Sequence, residues 1–140
     1  MIDRDNAAYA ALVLRVTLGV AFIAHGLLKV LVFTVPGTVQ FFGSLGLPAI
    51  VAYATIAAEI VGGALLVLGV YSRWVALALV PILLGAAWAH WGNGWVFSAQ
   101  GGGWEYPVFW AMTLVVQALL GDGAYALKPG VGAPRRVVAA

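Results

Sequence analysis

The sequence contains no cysteine, and only 9% of its 140 residues are charged. The absence of cysteine excludes disulfide bridges, thiolate metal sites, iron–sulfur clusters and any dithiol reaction carried by this chain. Seven Lys or Arg and five Asp or Glu residues are too few to cover the surface of a water-soluble domain of this length. The net charge of +2 leaves no basic patch that could follow a phosphate backbone. Nucleic acid is therefore not expected as a partner.

The sequence contains long runs of apolar residues. Apolar residues make up 64% of the chain, and the mean hydropathy is +1.02. A helix needs about 20 mostly apolar residues to cross a bilayer, and four runs reach or approach this length, at about residues 10–32, 49–70, 74–91 and 106–120. The sequence predicts an all-α integral membrane protein, a bundle of four transmembrane helices. One membrane domain is expected over residues 1–127, followed by a tail at 128–140.

The distribution of Lys and Arg predicts how these helices are oriented, because cytoplasmic loops carry the excess of basic residues. The basic residues expected on one side are Arg4, Arg73, Lys128, Arg135 and Arg136. The other side has Lys29. Both termini are therefore predicted to be cytoplasmic. The segments 33–48 and 92–105 then face the exterior, and the first of them is apolar enough to lie as a loop in the membrane interface.

Several ionisable residues lie within the apolar runs, where a charge is costly and usually faces other helices. Glu59 lies almost at the midpoint of the second run. Because helical side chains lean toward the N-terminus of their own helix, His25 and Lys29 of the first run lean toward this carboxylate. The polar cluster expected in the outer half of the membrane comprises His25, Lys29, Glu59 and His90. The residues expected to border it are Trp88, Trp91, Glu105 and Tyr106.

This cluster has two interpretations. In the first, Glu59 pairs with Lys29 or Arg15 and only holds two helices together, while the aromatic residues anchor the protein at the headgroups. In the second, two histidines and a second carboxylate exceed what one ion pair requires, and they mark a ligand site. Arg15 and Gln117 are expected to be structural, with Arg15 reaching the cytoplasmic interface or meeting Gln117 and Asp122.

The sequence gives little support to other classes of site. No closely spaced pair such as His-x-x-x-His accompanies the two histidines, so no metal site is predicted. The chain has no phosphate-cradling glycine loop, no dinucleotide fingerprint and no recognisable serine hydrolase pattern. Neither haem nor a nucleotide cofactor is indicated.

Four segments carry motifs in a fixed order. They are LRVTLGVAFIAHGLLKV, FFGSLGLP, AEIVGGALLVLGVYSR and GGGWEYPVFWAMTLVVQALLGDGAYAL. Over roughly residues 12–127 the chain resembles the DoxX family of small bacterial membrane proteins. The resemblance implies a multi-pass, four-helix protein of the bacterial inner membrane. Some members of the family are linked to thiosulfate oxidation with quinone as acceptor, and others to membrane oxidoreductase complexes that handle oxidative stress.

We therefore interpret the chain as a subunit of a membrane oxidoreductase system that binds quinone or a small sulfur-containing reductant at the outer cluster. Glu59 and His25 are the candidate catalytic residues, with Glu59 as the proton acceptor. The candidate ligand-binding residues are Lys29, His90, Trp88, Trp91, Glu105 and Tyr106. The chain has no evident redox centre, so a partner subunit or a soluble reductant would deliver electrons. The alternatives are a non-enzymatic scaffold or complex subunit in the oxidative-stress response, and a small transporter, which would need a homo-oligomer to form a pore.

Overall fold

The computed structural model describes residues 4–128. Within them the chain forms five α-helices and no β-strand, which confirms the all-helical prediction for this part of the chain. The helices are α1 (Arg4–Leu31), α2 (Val35–Ser44), α3 (Ala49–Leu68), α4 (Ser72–Ala89) and α5 (Glu105–Leu120). A short 3-10 turn, Trp91–Asn93, follows α4. Apart from Lys128, the predicted tail lies outside the described residues.

Three helical spans are long and apolar enough to cross a membrane, namely Asn6–Leu31, Ala49–Leu68 and Ser72–Ala89. Helix α5 is also apolar but has 16 residues. Large apolar side chains on several helices point away from the protein, and Leu31, Phe109 and Leu119 are 72%, 65% and 77% exposed. Such surfaces suit contact with lipid better than contact with water. The chain is therefore a multi-pass membrane protein.

The four longer helices pack in two close pairs. Helix α1 lies mainly against α3, and α4 lies mainly against α5, while contacts between α3 and α4 and between α1 and α5 join the pairs. Buried apolar side chains from all four helices form the core between them. Its largest members are Leu18, Phe22, Leu66, Leu79, Leu83, Trp110 and Leu114.

Glycines bring α1 and α3 into backbone contact. A Cβ atom added at Gly19 would lie 2.6 Å from the carbonyl oxygen of Gly63, and one added at Gly63 would lie 2.7 Å from the carbonyl oxygen of Gly19. A Cβ atom at Gly26 would lie 2.6 Å from the side chain of Ile60. Gly19 and Gly26, two turns apart, therefore lie on the face of α1 that packs on α3.

Arg15 is buried near the end of α3 rather than extended to an interface. Its guanidinium donates to the backbone carbonyls of Leu66 at 3.1 Å, Val67 at 2.8 Å and Ala124 at 2.8 Å. The first two carbonyls belong to the last turn of α3, where backbone donors are scarce; that of Leu66 also accepts the N–H of Gly69 at 3.1 Å. Gln117 and Asp122 were the partners expected from the sequence. Gln117 instead donates to the carbonyl of Gly121 at 2.8 Å, whereas the charge of Asp122 does act on Arg15.

The residues after α5 close the end of the molecule where α1 begins. The amide of Ala124 donates to the carbonyl of Ala8 at 2.9 Å. Asp122 accepts the backbone N–H of Ser72 at 2.8 Å and so caps the first turn of α4. Residues 127 and 128 pair with the end of α3. We call this region the Arg15 end, and the other end of the helices the α2 end.

The segment 33–48, expected as an interfacial loop, contains helix α2. Thr34 starts the helix, since its side-chain oxygen accepts the N–H of Gly37 at 3.2 Å and Pro36 lies in the first turn. The backbone of Thr34 has φ 62° and ψ 155°, a region that residues other than glycine rarely adopt. This residue makes a sharp corner after α1. The buried hydroxyl of Thr38 then lies 3.1 Å from the carbonyl oxygen of Lys29.

Candidate functional site

A cavity of about 540 Å³ lies at the α2 end of the molecule. It is enclosed by α1, α2, α3, α4, the segment 90–104 and the first turns of α5, and its volume is in the range typical of small-molecule sites. Most of its wall is apolar, including Phe41, Phe42, Leu45, Leu47, Leu83 and Trp110. The four members of the predicted polar cluster, His25, Lys29, Glu59 and His90, also line it.

Lys29 and Glu59 form an ion pair across the α1–α3 contact. The ammonium nitrogen lies 2.8 Å from each carboxylate oxygen, so the contact is bidentate. The Glu59 side chain is 6% exposed and that of Lys29 is 19% exposed. The same nitrogen lies 3.5 Å from the carbonyl oxygen of His25. Each charge is the compensating partner of the other, so removing one would leave the second partly buried and unpaired.

Each cavity histidine bonds a backbone carbonyl through Nδ1. His25 Nδ1 lies 2.9 Å from the carbonyl oxygen of Ala21, and His90 Nδ1 lies 2.9 Å from that of Gly101. A carbonyl oxygen can only accept, so Nδ1 carries the proton in both rings. Nε2 is then the lone-pair nitrogen of each neutral imidazole. The His25 ring also meets the ring of Trp110 edge-on, with centroids 4.8 Å apart.

A tryptophan cluster holds the segment between α4 and α5 in place. The Trp104 ring stacks on Trp91 with centroids 4.7 Å apart and meets Trp95 edge-on at 4.5 Å. Glu105 accepts the backbone N–H of Phe97 at 3.1 Å. The segment therefore has its own internal packing, which fixes one wall of the cavity.

The structure separates the predicted bordering residues into two groups. Trp88 and Tyr106 line the cavity. Trp91 and Glu105 do not line it, because the first stacks on Trp104 and the second bonds within the same segment. The sequence distinguishes these groups poorly, since all four lie near the ends of apolar runs.

Several cavity residues do not stand out in the sequence as members of a site. Phe41 and Phe42 reach the cavity because α2 folds back over it, and Trp110 reaches it from the second turn of α5. In the sequence, the only indication of this wall is the pair of adjacent phenylalanines in an apolar connecting segment. Thr55 also lines the cavity, one turn before Glu59 on the same face of α3.

This arrangement suits a planar organic ligand. Aromatic and aliphatic side chains supply walls for a ring, and the carboxylate and imidazoles supply groups that accept or transfer protons. Among residues 6–128, no three His, Asp or Glu side chains come together in a way that could hold a metal ion.

Comparison with known proteins agrees with the resemblance carried by the motifs. The DoxX family model matches residues 10–91, more than half of the 140 residues. A Bacillus subtilis (strain 168) protein named "Putative oxidoreductase CatD" is 44% identical over 75 residues, which are 54% of this chain and 54% of that protein. The match therefore spans about half the length of this relative. No solved structure matches the chain. On the strength of the family match, this chain belongs to the DoxX family.

Proposed function

We propose that this protein is a membrane subunit of an oxidoreductase system, and that its cavity binds a quinone head group or a small sulfur-containing reductant. The cavity itself carries the proposal, because it joins apolar walls to the Lys29–Glu59 pair and two histidines. A quinone head group needs flat apolar walls and polar partners for its two oxygens. The name of the Bacillus subtilis relative supports the same class of activity.

Within this function, Glu59 is the proposed proton acceptor and His25 the second catalytic group. Both line the cavity, and Lys29 holds the carboxylate by two contacts of 2.8 Å. The chain has no cysteine that could carry electrons as a dithiol. A redox partner subunit or a soluble reductant therefore delivers the electrons, and the chain supplies the membrane-embedded site.

We further propose that α5 is a fourth transmembrane helix, with both chain termini in the cytoplasm. The hydrogen bond from Ala124 to Ala8 supports this, since it returns the chain after α5 to the end where α1 begins. An even number of crossings produces such a return. Arg73 and Lys128 lie at this Arg15 end, which the excess of basic residues makes the cytoplasmic side. The cavity then opens in the outer half of the bacterial inner membrane.

The test is mass spectrometry of lipid-soluble material extracted from detergent-purified protein. Wild type is compared with Glu59→Gln, which keeps an oxygen for Lys29, and with His25→Ala. Gln40→Ala is the matched control, because Gln40 is exposed on α2 and does not line the cavity. A stoichiometric quinone in wild type and control, lost from both cavity variants that still fold, supports the quinone site.

A folded wild-type protein that carries no quinone and binds none on addition contradicts the quinone assignment. Calorimetric titration with thiosulfate then tests the sulfur-containing reductant. Absence of binding in both experiments contradicts the proposed function as a whole.

A further inference from the structure

Backbone carbonyl groups hold both histidines of the cavity in the tautomer that has its proton on Nδ1. His25 uses Nδ1–H on the carbonyl of Ala21, and His90 uses Nδ1–H on the carbonyl of Gly101. In each neutral ring the remaining nitrogen, Nε2, accepts a hydrogen bond and does not donate one. Within residues 6–128, neither Nε2 has a hydrogen-bond partner. Two side chains of the cavity therefore offer lone pairs.

The cationic group of the cavity is already engaged. An ammonium group has three donors, and the Lys29 nitrogen has three acceptors around it, two carboxylate oxygens at 2.8 Å and the carbonyl oxygen of His25 at 3.5 Å. Glu59 remains a pure acceptor with lone pairs beyond those that Lys29 uses.

The other polar groups of the lining do not reverse this balance. The hydroxyls of Thr55 and Tyr106 both donate and accept, so they suit a ligand oxygen of either kind. Trp88 and Trp110 can only donate; Trp88 is 57% exposed, and the buried indole N–H of Trp110 has no partner within the described residues. Against these two donors stand three groups that only accept, which are the Nε2 atoms of His25 and His90 and the Glu59 carboxylate.

We propose that the cavity recognises the reduced form of an aromatic redox ligand, a 1,4-dihydroxyarene whose two hydroxyl groups donate to two of the three acceptors, which are the Nε2 atoms of His25 and His90 and the Glu59 carboxylate. This rests on the proposed function and specifies which redox form of the ligand the site selects. A quinone carbonyl oxygen facing Nε2 would leave two acceptors without a donor. Such mismatches are penalised strongly in sites shielded from water. In the dihydroxy form, each ligand oxygen carries a proton that it donates to the acceptor atom it faces.

The experiment compares three ligands of nearly equal shape on the same purified full-length protein. They are 2,3-dimethyl-1,4-naphthohydroquinone, the corresponding quinone, and the corresponding 1,4-dimethoxy ether, which keeps the ring but has no hydroxyl donor. Equilibrium dialysis is run without oxygen against empty detergent micelles, so that partition into detergent is subtracted. We expect the dihydroxy form to bind at least tenfold more tightly than either of the other two.

Variants test whether the histidines are responsible for this selectivity. His25→Phe keeps a flat ring beside Trp110 and removes the acceptor, and His90→Phe does the same at the other position. Each is expected to reduce the ratio between the Kd values of the quinone and the dihydroxy form. Unchanged ratios in both variants would overturn the assignment of the histidines as the selecting groups. The three-ligand comparison needs no variant and so remains decisive where a variant does not fold.

The outcomes of the three-ligand comparison distinguish failure of this inference from failure of the proposed function. Equal or tighter binding of the quinone overturns the inference and leaves the proposed function standing. Equal binding of the dimethoxy ether and the dihydroxy form also overturns it, because hydroxyl donation is then not recognised. Binding of none of the three above the micelle blank contradicts both the inference and the quinone form of the proposed function.

Discussion

Gly19 and Gly63 face each other where α1 crosses α3, and the carbonyl oxygen of each residue lies too close for the other to carry a Cβ atom. The contact is reciprocal, at 2.6 and 2.7 Å from the added atoms. Close backbone approach of this kind is a principal source of helix association in membranes, where lipid removes the hydrophobic drive between helices. The crossing also sets the distance between Lys29 on α1 and Glu59 on α3.

We expect Gly19→Ala to destabilise the protein by about 1–3 kcal/mol, the usual range for overpacking a tight interior. The added methyl would meet backbone, which cannot move aside as a side chain end does. The free energy of unfolding in mixed detergent micelles measures the effect. Gly43→Ala is the control, since nothing lies within 4 Å of a Cβ atom there. Equal stability of the two variants would show that the crossing is not tight.

The ion pair should behave as a coupled unit in a double-mutant cycle. Lys29→Met or Glu59→Met alone leaves a partly or largely buried charge without its partner, which costs about 3–5 kcal/mol in buried pairs. The double variant Lys29→Met/Glu59→Met should lose much less stability than the sum of the two single changes. Unfolding free energies of the four proteins give the coupling. Simple additivity would contradict the pairing.

Replacing Arg15 should lower the free energy of unfolding, because Arg15 joins the ends of the helices at the Arg15 end. Arg15→Met removes the donors to the carbonyls of Leu66, Val67 and Ala124, and we expect a loss of about 3 kcal/mol or more, given the strength of hydrogen bonds from charged groups. Arg15→Lys should recover only part of the loss, because one ammonium cannot span the positions that a guanidinium fork reaches. Arg73→Met, at an exposed position, is the control and should change stability by less than about 0.5 kcal/mol.

Filling the cavity should abolish ligand binding without touching any ionisable group. Gly85 lines the cavity, and nothing lies within 4 Å of a Cβ atom added there. Gly85→Leu is therefore expected to fold normally and to weaken binding of the naphthohydroquinone at least tenfold in the dialysis experiment. Gly43→Leu, which is outside the cavity lining, should bind as wild type does. Full binding by Gly85→Leu would place the ligand elsewhere.

The sequence predicted the helical content and the meeting of Lys29 with Glu59 better than it predicted the connecting segments. Hydropathy marks long helices directly, and the lean of helical side chains is the same in every helix. The positions of Trp91 and Glu105 depend instead on how the segment 90–104 packs on itself, through contacts that no periodic pattern encodes. Arg15 was expected either at an interface or beside Gln117 and Asp122; the charge of Asp122 does act on it, but its hydrogen bonds go to backbone carbonyls, which no side-chain pattern predicts.

The corner at Thr34 places backbone strain directly before α2, the helix that covers the cavity. A residue with a branched side chain in this backbone region carries about 1–3 kcal/mol of conformational strain, which the docked position of α2 must offset. A polar contact between α2 and α1 is made by the hydroxyl of Thr38, which lies 3.1 Å from the carbonyl oxygen of Lys29 and 3.0 Å from that of Thr34. Relief of this strain would offset part of the contact energy lost if α2 moved away from the cavity, so the Thr34 conformation lowers the cost of opening. Phe41 and Phe42 lie on α2 and line the cavity. A ligand that packs against these two rings would therefore have to hold α2 in place against the strain at Thr34.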